Sequence, residues 1–348
     1  MALSRGSKGF LIVVIVVGVV IGGGLTLLSR GGVAASTQPV SVEIPEGVGA
    51  AEVANLLEER GVIGSAFPFK LRARFDGRAD QIRPGTYSLT PGMNAGDILA
   101  VLSAAPPAAP SFRVTIPEGL TVAQTLQRIA DAPDSPFTVE ALQVALPGVA
   151  LPEWVPLQSI PAEQPYPGLT PYEGLLFPDT YDFRQDLPAQ DVLARLILRT
   201  EEILNAVPPS AGGLDRYQVL VIGSLIEREA RLREEQPVIS SVIHNRITDG
   251  TALNIDATVL YANASTANQV LNSDLERESP WNTYVVPGLP PTPISGAGAS
   301  ALAAAAAPQA TEFRYYVVSD PNTGSHAFAE TFEEHQNNVA RYRELVGG

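Results

Sequence analysis

The 348-residue sequence predicts an α+β protein with one N-terminal transmembrane helix, a small α+β module and a larger mixed α+β domain carrying an αα-hairpin. Three observations carry this expectation. Phe10–Leu28 is an uncharged apolar run. A strand–turn–helix signature occurs twice, with Ile44-Pro45-Glu46-Gly47 returning as Ile116-Pro117-Glu118-Gly119. Two consecutive helical stripes lie between residues 214 and 250, joined by a short charged connection. The expected boundaries are a cytoplasmic N-terminus at 1–9, a membrane helix at 10–29, a tether at 30–40, the small module at 41–104, a linker at 105–111 and the larger domain at 112–346.

The apolar run is long enough to span: nineteen residues at a rise of 1.5 Å reach about 28 Å, close to the hydrocarbon thickness. Arg5 and Lys8 precede it with no acidic residue, so the positive-inside rule leaves the amino end in the cytoplasm. A cleaved signal peptide is the competing reading, because Val33-Ala34-Ala35 resembles a processing site. The run exceeds the usual signal core of ~7–15 residues, and an uncleaved anchor is expected. Everything beyond it then faces outside the cytoplasm.

Composition narrows the chemistry. A net charge of −14 makes the chain a poor polyanion binder and argues against a nucleic-acid partner. Without cysteine there is no disulfide, thiolate nucleophile or Cys-bound zinc. The three histidines, His244, His326 and His335, fall into no HExxH-like pattern, so a metal site is not expected.

Residues 30–40 are small, polar and glycine-containing, as a tether would be. VSVEIPEGVGAAEVANLLEERGVI then reads as an alternating strand, a Pro-Glu-Gly turn and a helix with Val53, Leu56 and Leu57 inward. A second strand around Thr86-Tyr87-Ser88 and a helix from Ala95 complete a module of strand–helix–helix–strand order. AAPPAAP at 104–110 is a proline-stiffened linker. FRVTIPEGLTVAQTLQRIA repeats the opening unit, and its IPEG is read as a turn rather than a ligand contact. Residues 131–172 are proline-rich and predict a long irregular connection. Residues 172–183 read as an apolar packed turn, and 188–206 as an amphipathic helix. The last hundred residues read as a loop (TALNIDATVLYA), a proline-rich loop, an alanine-rich helix and a β-hairpin turning at Asp320–Gly324.

The hairpin of helices is where chemistry concentrates. Val219, Ile222, Ile226 and Ala230 form one apolar stripe, with Glu227 beside it, a turn beyond Gly223, where a missing side chain leaves room. Glu229 lies about 200° further round, so the two carboxylates cannot share a face. The second helix starts near Pro237, presents Val238, Ile239, Val242, Ile243 and Ile247, and stops at Gly250. Such a pair can hold Glu227 against apolar neighbours and make it an acid. The same glutamates also read as a solvated face, since Glu227–Arg231 and Glu229–Arg233 are i,i+4 pairs worth about 0.2–0.5 kcal/mol each. Spacing alone favours the solvated face.

The motifs, taken together and in order, shift that balance. EGLLFPDTY (173–181), IGSLIEREA (222–230), VIHNRI (242–247), LNIDATVLY (253–261), SPWNTY (279–284), GLPPTPI (288–294), HAF (326–328) and EEHQNNV (333–339) together resemble the endolytic murein transglycosylase (YceG-like) family. The resemblance runs from the anchor to Tyr342. It implies that Glu227, in Ile226-Glu227-Arg228-Glu229, occupies the position of the catalytic acid, and that the amino-terminal module is LysM-like and contacts glycan. It further implies a single-pass protein of the cytoplasmic membrane whose catalytic domain is extracytoplasmic. The implied reaction is cleavage of the MurNAc-GlcNAc β-1,4 bond within nascent strands to 1,6-anhydroMurNAc ends, limiting strand length, and it needs no metal or cofactor. Peptidoglycan glycan strands are the implied substrate, with cell-wall synthases as a further partner class. The apolar hairpin is expected to raise the pKa of Glu227 so that it carries a proton near neutrality.

Asn254, Asp256, Asn282 and Tyr284 are the candidate substrate-binding residues, and Asp256 is also placed to stabilise developing positive charge. The chain has Asp256-Ala257-Thr258 where the family often has Asp-Pro-Thr, and Asn254 where it often has Gln. His326 reads either as a satisfied hairpin residue or as a cleft residue, and Glu173 as structural support or a contact just behind the site. Two other functions stay open. A hydrolytic muramidase would need a second carboxylate near Glu227, with Asp256, Glu173 or Glu229 as candidates and helix geometry against Glu229. A membrane-anchored cell-wall binding or scaffold protein would need no acid at all.

Overall fold

The structure is a computed structural model describing residues 38–104, 110–210, 212–265 and 269–347. The expected cytoplasmic terminus, membrane helix and most of the tether lie outside the described residues, as does most of the 105–111 linker. Among the described residues no helix is long and apolar enough to cross a membrane. The architecture is mixed α+β, with twelve α-helices and three two-stranded antiparallel sheets among the described residues. Two compact units divide at Ala109/Pro110.

In the first unit, β1 (Val40–Ile44) pairs with β2 (Gly85–Leu89) in a register that sets Val42 opposite Tyr87. Alternation puts Val42, Ile44, Tyr87 and Leu89 on the buried face. Onto that face pack α1 (Ala50–Glu59), α2 (Ala66–Asp76) and α3 (Ala95–Ser103), through Val53, Ala54 and Leu57, then Phe69 and Ala73, then Ile98, Leu99 and Leu102. Leu56, expected inward, is only partly buried, and Ala54 takes its place. The Tyr87 hydroxyl donates to the carbonyls of Arg83 and Leu102, which lets a buried phenol close this core.

The second unit opens with the same device. β3 (Ser111–Thr115) leads through Gly119 at φ +81° into α4 (Val122–Ala130), as β1 leads through Gly47 at φ +80° into α1. Only glycine adopts that backbone without a Cβ penalty. The partner of β3 is β4 (Thr180–Arg184), so the stretch read as an apolar turn contributes a strand, with Phe112 opposite Phe183 and Val114 opposite Tyr181. The intervening connection is less irregular than expected: Thr138 caps a short helix α5 (Val139–Ala145), and three 3-10 turns follow. After α6 (Ala189–Ala206) come α7 (Arg216–Glu229) and α8 (Gln236–Thr248), packed on one another. Residues 256–262, read as loop, form α9 (Asp256–Ala262) because Ala257, Val259 and Tyr261 are all buried. The chain closes with α10 (Asn272–Leu275), α11 (Ala299–Ala306), the hairpin β5 (Tyr315–Asp320) and β6 (Ser325–Ala329), and α12 (Phe332–Val346).

α7 departs from the expected one-sided stripe. Every residue from Val219 to Ile226 is buried, so this helix is the axis of the unit, not a surface helix. The room above Gly223 is taken: a Cβ there would stand 2.6 Å from Leu302 Cδ2, so the glycine lets the alanine-rich α11 lie close against α7. In the middle of α7, the Ser224 hydroxyl donates to Val221 O at 2.7 Å and accepts from Ile294 N at 3.1 Å. That exchange ties the GLPPTPI loop to the helix without leaving a buried polar atom unpaired.

Candidate active site

Glu227 stands in the last turn of α7, where the buried core gives out. Its Oε2 accepts the backbone N–H of Gly298, the N-cap of α11, at 3.0 Å. The approach of the two helices at Gly223 thus sets where the carboxyl and its donor meet. Glu227 is half-buried, and burial pushes its pKa above the ordinary carboxylate value; the neighbouring Glu118 pushes the same way. The Gly298 N–H and Arg233 act in the opposite sense and are outweighed. The C-terminal end of the α7 dipole favours the protonated form, and the N-terminal end of α11 favours the charged one, so the two helix ends oppose each other.

The surface pairs that competed with this reading do not form. α7 ends at Glu229, with Ala230 as its C-cap, so Arg231 and Arg233 no longer follow the helix. Arg231 donates to Pro321 O, and Arg233 pairs with Glu118 at 3.1 Å. Glu118 belongs to the second IPEG turn, which the sequence presented only as a turn. Gly119 N donates to Gly296 O and Gly296 N to Leu120 O, both at 2.8 Å, so a short backbone ladder locks the turn against the loop before α11. A Cβ at position 298 would overlap the Glu118 carboxyl group. Glu118, Arg233 and Gly298 were absent from the residues singled out as site candidates; the repetition of IPEG was the one signal pointing to Glu118.

Glu229 faces the other way, as its angular offset requires, and meets the C-terminal hairpin. Tyr316 donates its hydroxyl to Glu229 Oε2 at 2.9 Å. Burial raises the Glu229 pKa to about 7, the Tyr316 hydrogen bond opposes it, and Asp256 adds to the rise. Asp256 in turn accepts the Tyr284 hydroxyl at 2.6 Å. Arg246, of VIHNRI, lies behind these groups, giving its guanidinium to the carbonyls of Ala252, Leu253 and Arg314.

The four candidate binding residues sit on two joined loops. Asn254 N donates to Thr283 O, Ile255 N to Thr283 Oγ1, and the Thr258 and Thr283 hydroxyls lie 2.9 Å apart. Asn254 is exposed, at φ +53°, a left-handed conformation asparagine tolerates. Asp256 is exposed and Tyr284 half-buried. Asn282 is buried: its amide donates to Leu275 O and Arg277 O at 3.0 and 2.9 Å, and its oxygen accepts Tyr284 N at 3.0 Å. That side chain holds its own loop.

His326 is held by Glu235, which accepts both its backbone N–H (2.9 Å) and its Nδ1 (2.7 Å), and it lies edge-on to Tyr316. Glu173 lies in the core, accepting Val122 N at 2.9 Å and the Tyr261 hydroxyl at 3.2 Å. The next residue, Gly174 at φ +76°, leaves room for Pro293, since a Cβ there would stand 2.6 Å from Pro293 Cβ. Among the described residues no His, Asp and Glu grouping has the arrangement of a metal site.

This architecture, with a half-buried carboxyl at the end of a central helix, belongs to a defined class of proteins. Residues 42–341 match the YceG-like family, and the chain belongs to it. An endolytic murein transglycosylase of Bacillus subtilis is 29% identical over 319 residues, covering 88% of this chain and 86% of the relative. A Streptococcus pneumoniae protein of the same description is 27% identical over 333 residues; the match covers 88% of this chain and 59% of that protein. Among solved structures, a YceG-like protein from Listeria monocytogenes shares 29% identity and a TM-score of 0.53, over 87% of this chain and 99% of that one.

Proposed function

We propose that the chain is an endolytic peptidoglycan lytic transglycosylase whose acid is Glu227. The carrying observation is that Glu227 is half-buried on a backbone N–H, with no ion pair of its own among the described residues. Such a carboxyl keeps its proton to higher pH than a solvated one and can give it up to a leaving oxygen. Glu227 donates that proton to the glycosidic oxygen as positive charge develops at the MurNAc anomeric carbon. The C–O bond to the leaving sugar breaks, the C6 hydroxyl oxygen bonds to the anomeric carbon, and the Glu227 carboxylate takes the hydroxyl proton. The acid is regenerated, and a 1,6-anhydro end forms with no water consumed.

Asn254, Asp256 and Tyr284 are assigned to the glycan, and Asn282 to the loop that carries Tyr284. Residues 10–29 are assigned to a single membrane span with 1–9 in the cytoplasm, 30–40 to a tether, 41–104 to a LysM-like glycan-binding module, 105–111 to a linker, and 112–346 to an extracytoplasmic catalytic domain. The setting at the outer face of the cytoplasmic membrane would place the enzyme beside cell-wall synthases.

The test is a digest of purified glycan strands with the wild-type chain and with Glu227→Gln. Anhydro-ended products one water lighter than hydrolysis products, lost in Glu227→Gln, are expected; cleavage surviving in that variant refutes the assignment. A hydrolytic muramidase would release the heavier product. Of the carboxylates considered for its second group, Glu173 is locked in the core and Glu229 is taken by Tyr316. Glycan retention with no release at all would instead leave a binding or scaffold protein.

A further inference from the structure

The second IPEG turn carries a carboxylate that the turn itself does not need. In the first unit the same turn forms around Gly47 with Glu46 exposed and making no hydrogen bond or ion pair among the described residues. In the second unit the turn is fastened by the Gly119–Gly296 and Gly296–Leu120 backbone bonds and by Arg228, which donates to Gly119 O at 3.1 Å. None of these uses the Glu118 side chain. That side chain instead lies over Gly298, the residue whose N–H holds Glu227, and pairs with Arg233.

We propose that Glu118 is a positioning residue for Glu227: with Arg233 as its counter-charge, it fixes the Gly298 turn and the local field in which the acid works. This rests on Glu227 being the acid. The Glu118–Arg233 pair is solvent-facing, with side chains 37% and 70% exposed, so it contributes little to folding. Its consequence is local, because Glu227 is half-buried and feels neighbouring charges through a poorly screened medium. The other charged groups nearby are otherwise engaged: Arg228 on Gly119 O, Arg231 on Pro321 O, Glu229 on Tyr316, and Glu235 on His326. Glu234 is exposed to solvent, and α11 brings no titratable side chain. Of the charges outside its helix, Glu118 and Arg233 bear on Glu227, and they act in opposite senses.

Opposite senses make a sharp test. The full-length chain, as wild type, Glu118→Gln, Arg233→Gln and the double variant, is assayed on purified glycan strands across pH at low salt. Activity falls on the alkaline side as Glu227 loses its proton. Removing the Glu118 charge makes that loss easier and moves the alkaline limb of kcat/KM to lower pH; removing the Arg233 charge moves it to higher pH. A rim charge of this kind changes a protonation equilibrium roughly two- to fivefold at low salt, and less at high salt. The double variant returns towards the wild-type limb, and Glu118→Asp, which keeps the charge, stays near it. Where Glu118→Gln folds poorly, Glu118→Ala, which also removes the charge, carries the same downward shift, and a limb that stays in place in that variant overturns the inference. Limbs that do not move, or that move in the same direction in both variants, overturn the inference alone. Cleavage by Glu227→Gln overturns the assignment of the acid and this inference with it.

Discussion

Replacing Glu173 by Gln should flatten the pH dependence of stability in the second unit. Glu173 is 1% exposed, and burial lifts its pKa from the ordinary 4.5 to about 8, against the hydrogen bonds from Val122 N and Tyr261 that pull it down. The folded state therefore keeps a proton that the unfolded chain releases above pH 4.5. A raised acid pKa gives stability that is fully present below pH 4.5 and is lost as pH rises towards 8. Each pH unit in that window costs about 1.4 kcal/mol, so this one group removes about 3 kcal/mol between pH 4.5 and 7. Glutamine keeps the geometry: its oxygen accepts Val122 N, and its amide turns to the Tyr261 hydroxyl. With nothing to titrate, the variant loses that slope.

Both tryptophans, Trp154 and Trp281, lie in the second unit, so their fluorescence in urea reports that unit alone. Unfolding curves at pH 5, 6, 7 and 7.5 give the free energies, with m-values compared to keep the denatured states equivalent. The wild type and Glu173→Gln should be close near pH 5, with Glu173→Gln the more stable by about 3 kcal/mol near pH 7. Glu229 contributes a wild-type slope of the same sign that both proteins share. Parallel curves across the whole range would refute the claim that Glu173 is buried as a neutral acid.

Two further substitutions test how the site is built. Asn282→Ala removes two well-formed donors, to the Leu275 and Arg277 carbonyls, and the acceptor for Tyr284 N, and should cost about 2–3 kcal/mol by urea unfolding; an unchanged stability with a raised KM would assign Asn282 to the glycan instead. Gly223→Ala places a methyl against the fully buried Leu302, an overpacking cost of about 1–3 kcal/mol partly offset by about 1 kcal/mol of helix propensity. Because that contact sets the distance from α7 to Gly298, kcat should fall further than the stability change accounts for, and a double-mutant cycle with Leu302→Ala should recover part of it.

Local signals were legible wherever one segment decided its own conformation. The IPEG strand–turn–helix was readable twice, because a glycine at positive φ between an alternating strand and a helical stripe leaves few alternatives. The alanine-rich helix and the Asp320–Gly324 hairpin were readable for the same reason. α9 was not, because Asp256–Ala262 is too short to announce a period, and its helix exists through the burial of Ala257, Val259 and Tyr261. α7 misled in the opposite direction: its polar ends and i,i+4 charges describe a surface helix, while Gly223 and Ser224 in the middle exist for contacts with α11 and the 288–298 loop.

The site follows the same division. Spacing around Glu227 favours a solvated face, and the resemblance, not its neighbours, singles it out; what surrounds its carboxyl comes from elsewhere in the chain: the Gly298 N–H, seventy-one residues on, and Glu118, from a turn far upstream. No periodicity links 118, 227 and 298. They meet because a glycine on each of two helices, and a turn laddered to the loop between them, let three backbones approach where any larger side chain would hold them apart. The chemistry is thus assembled by small residues whose own sequence signal is weak, and a Cβ at 223 or 298 is the change to which this arrangement should be most sensitive.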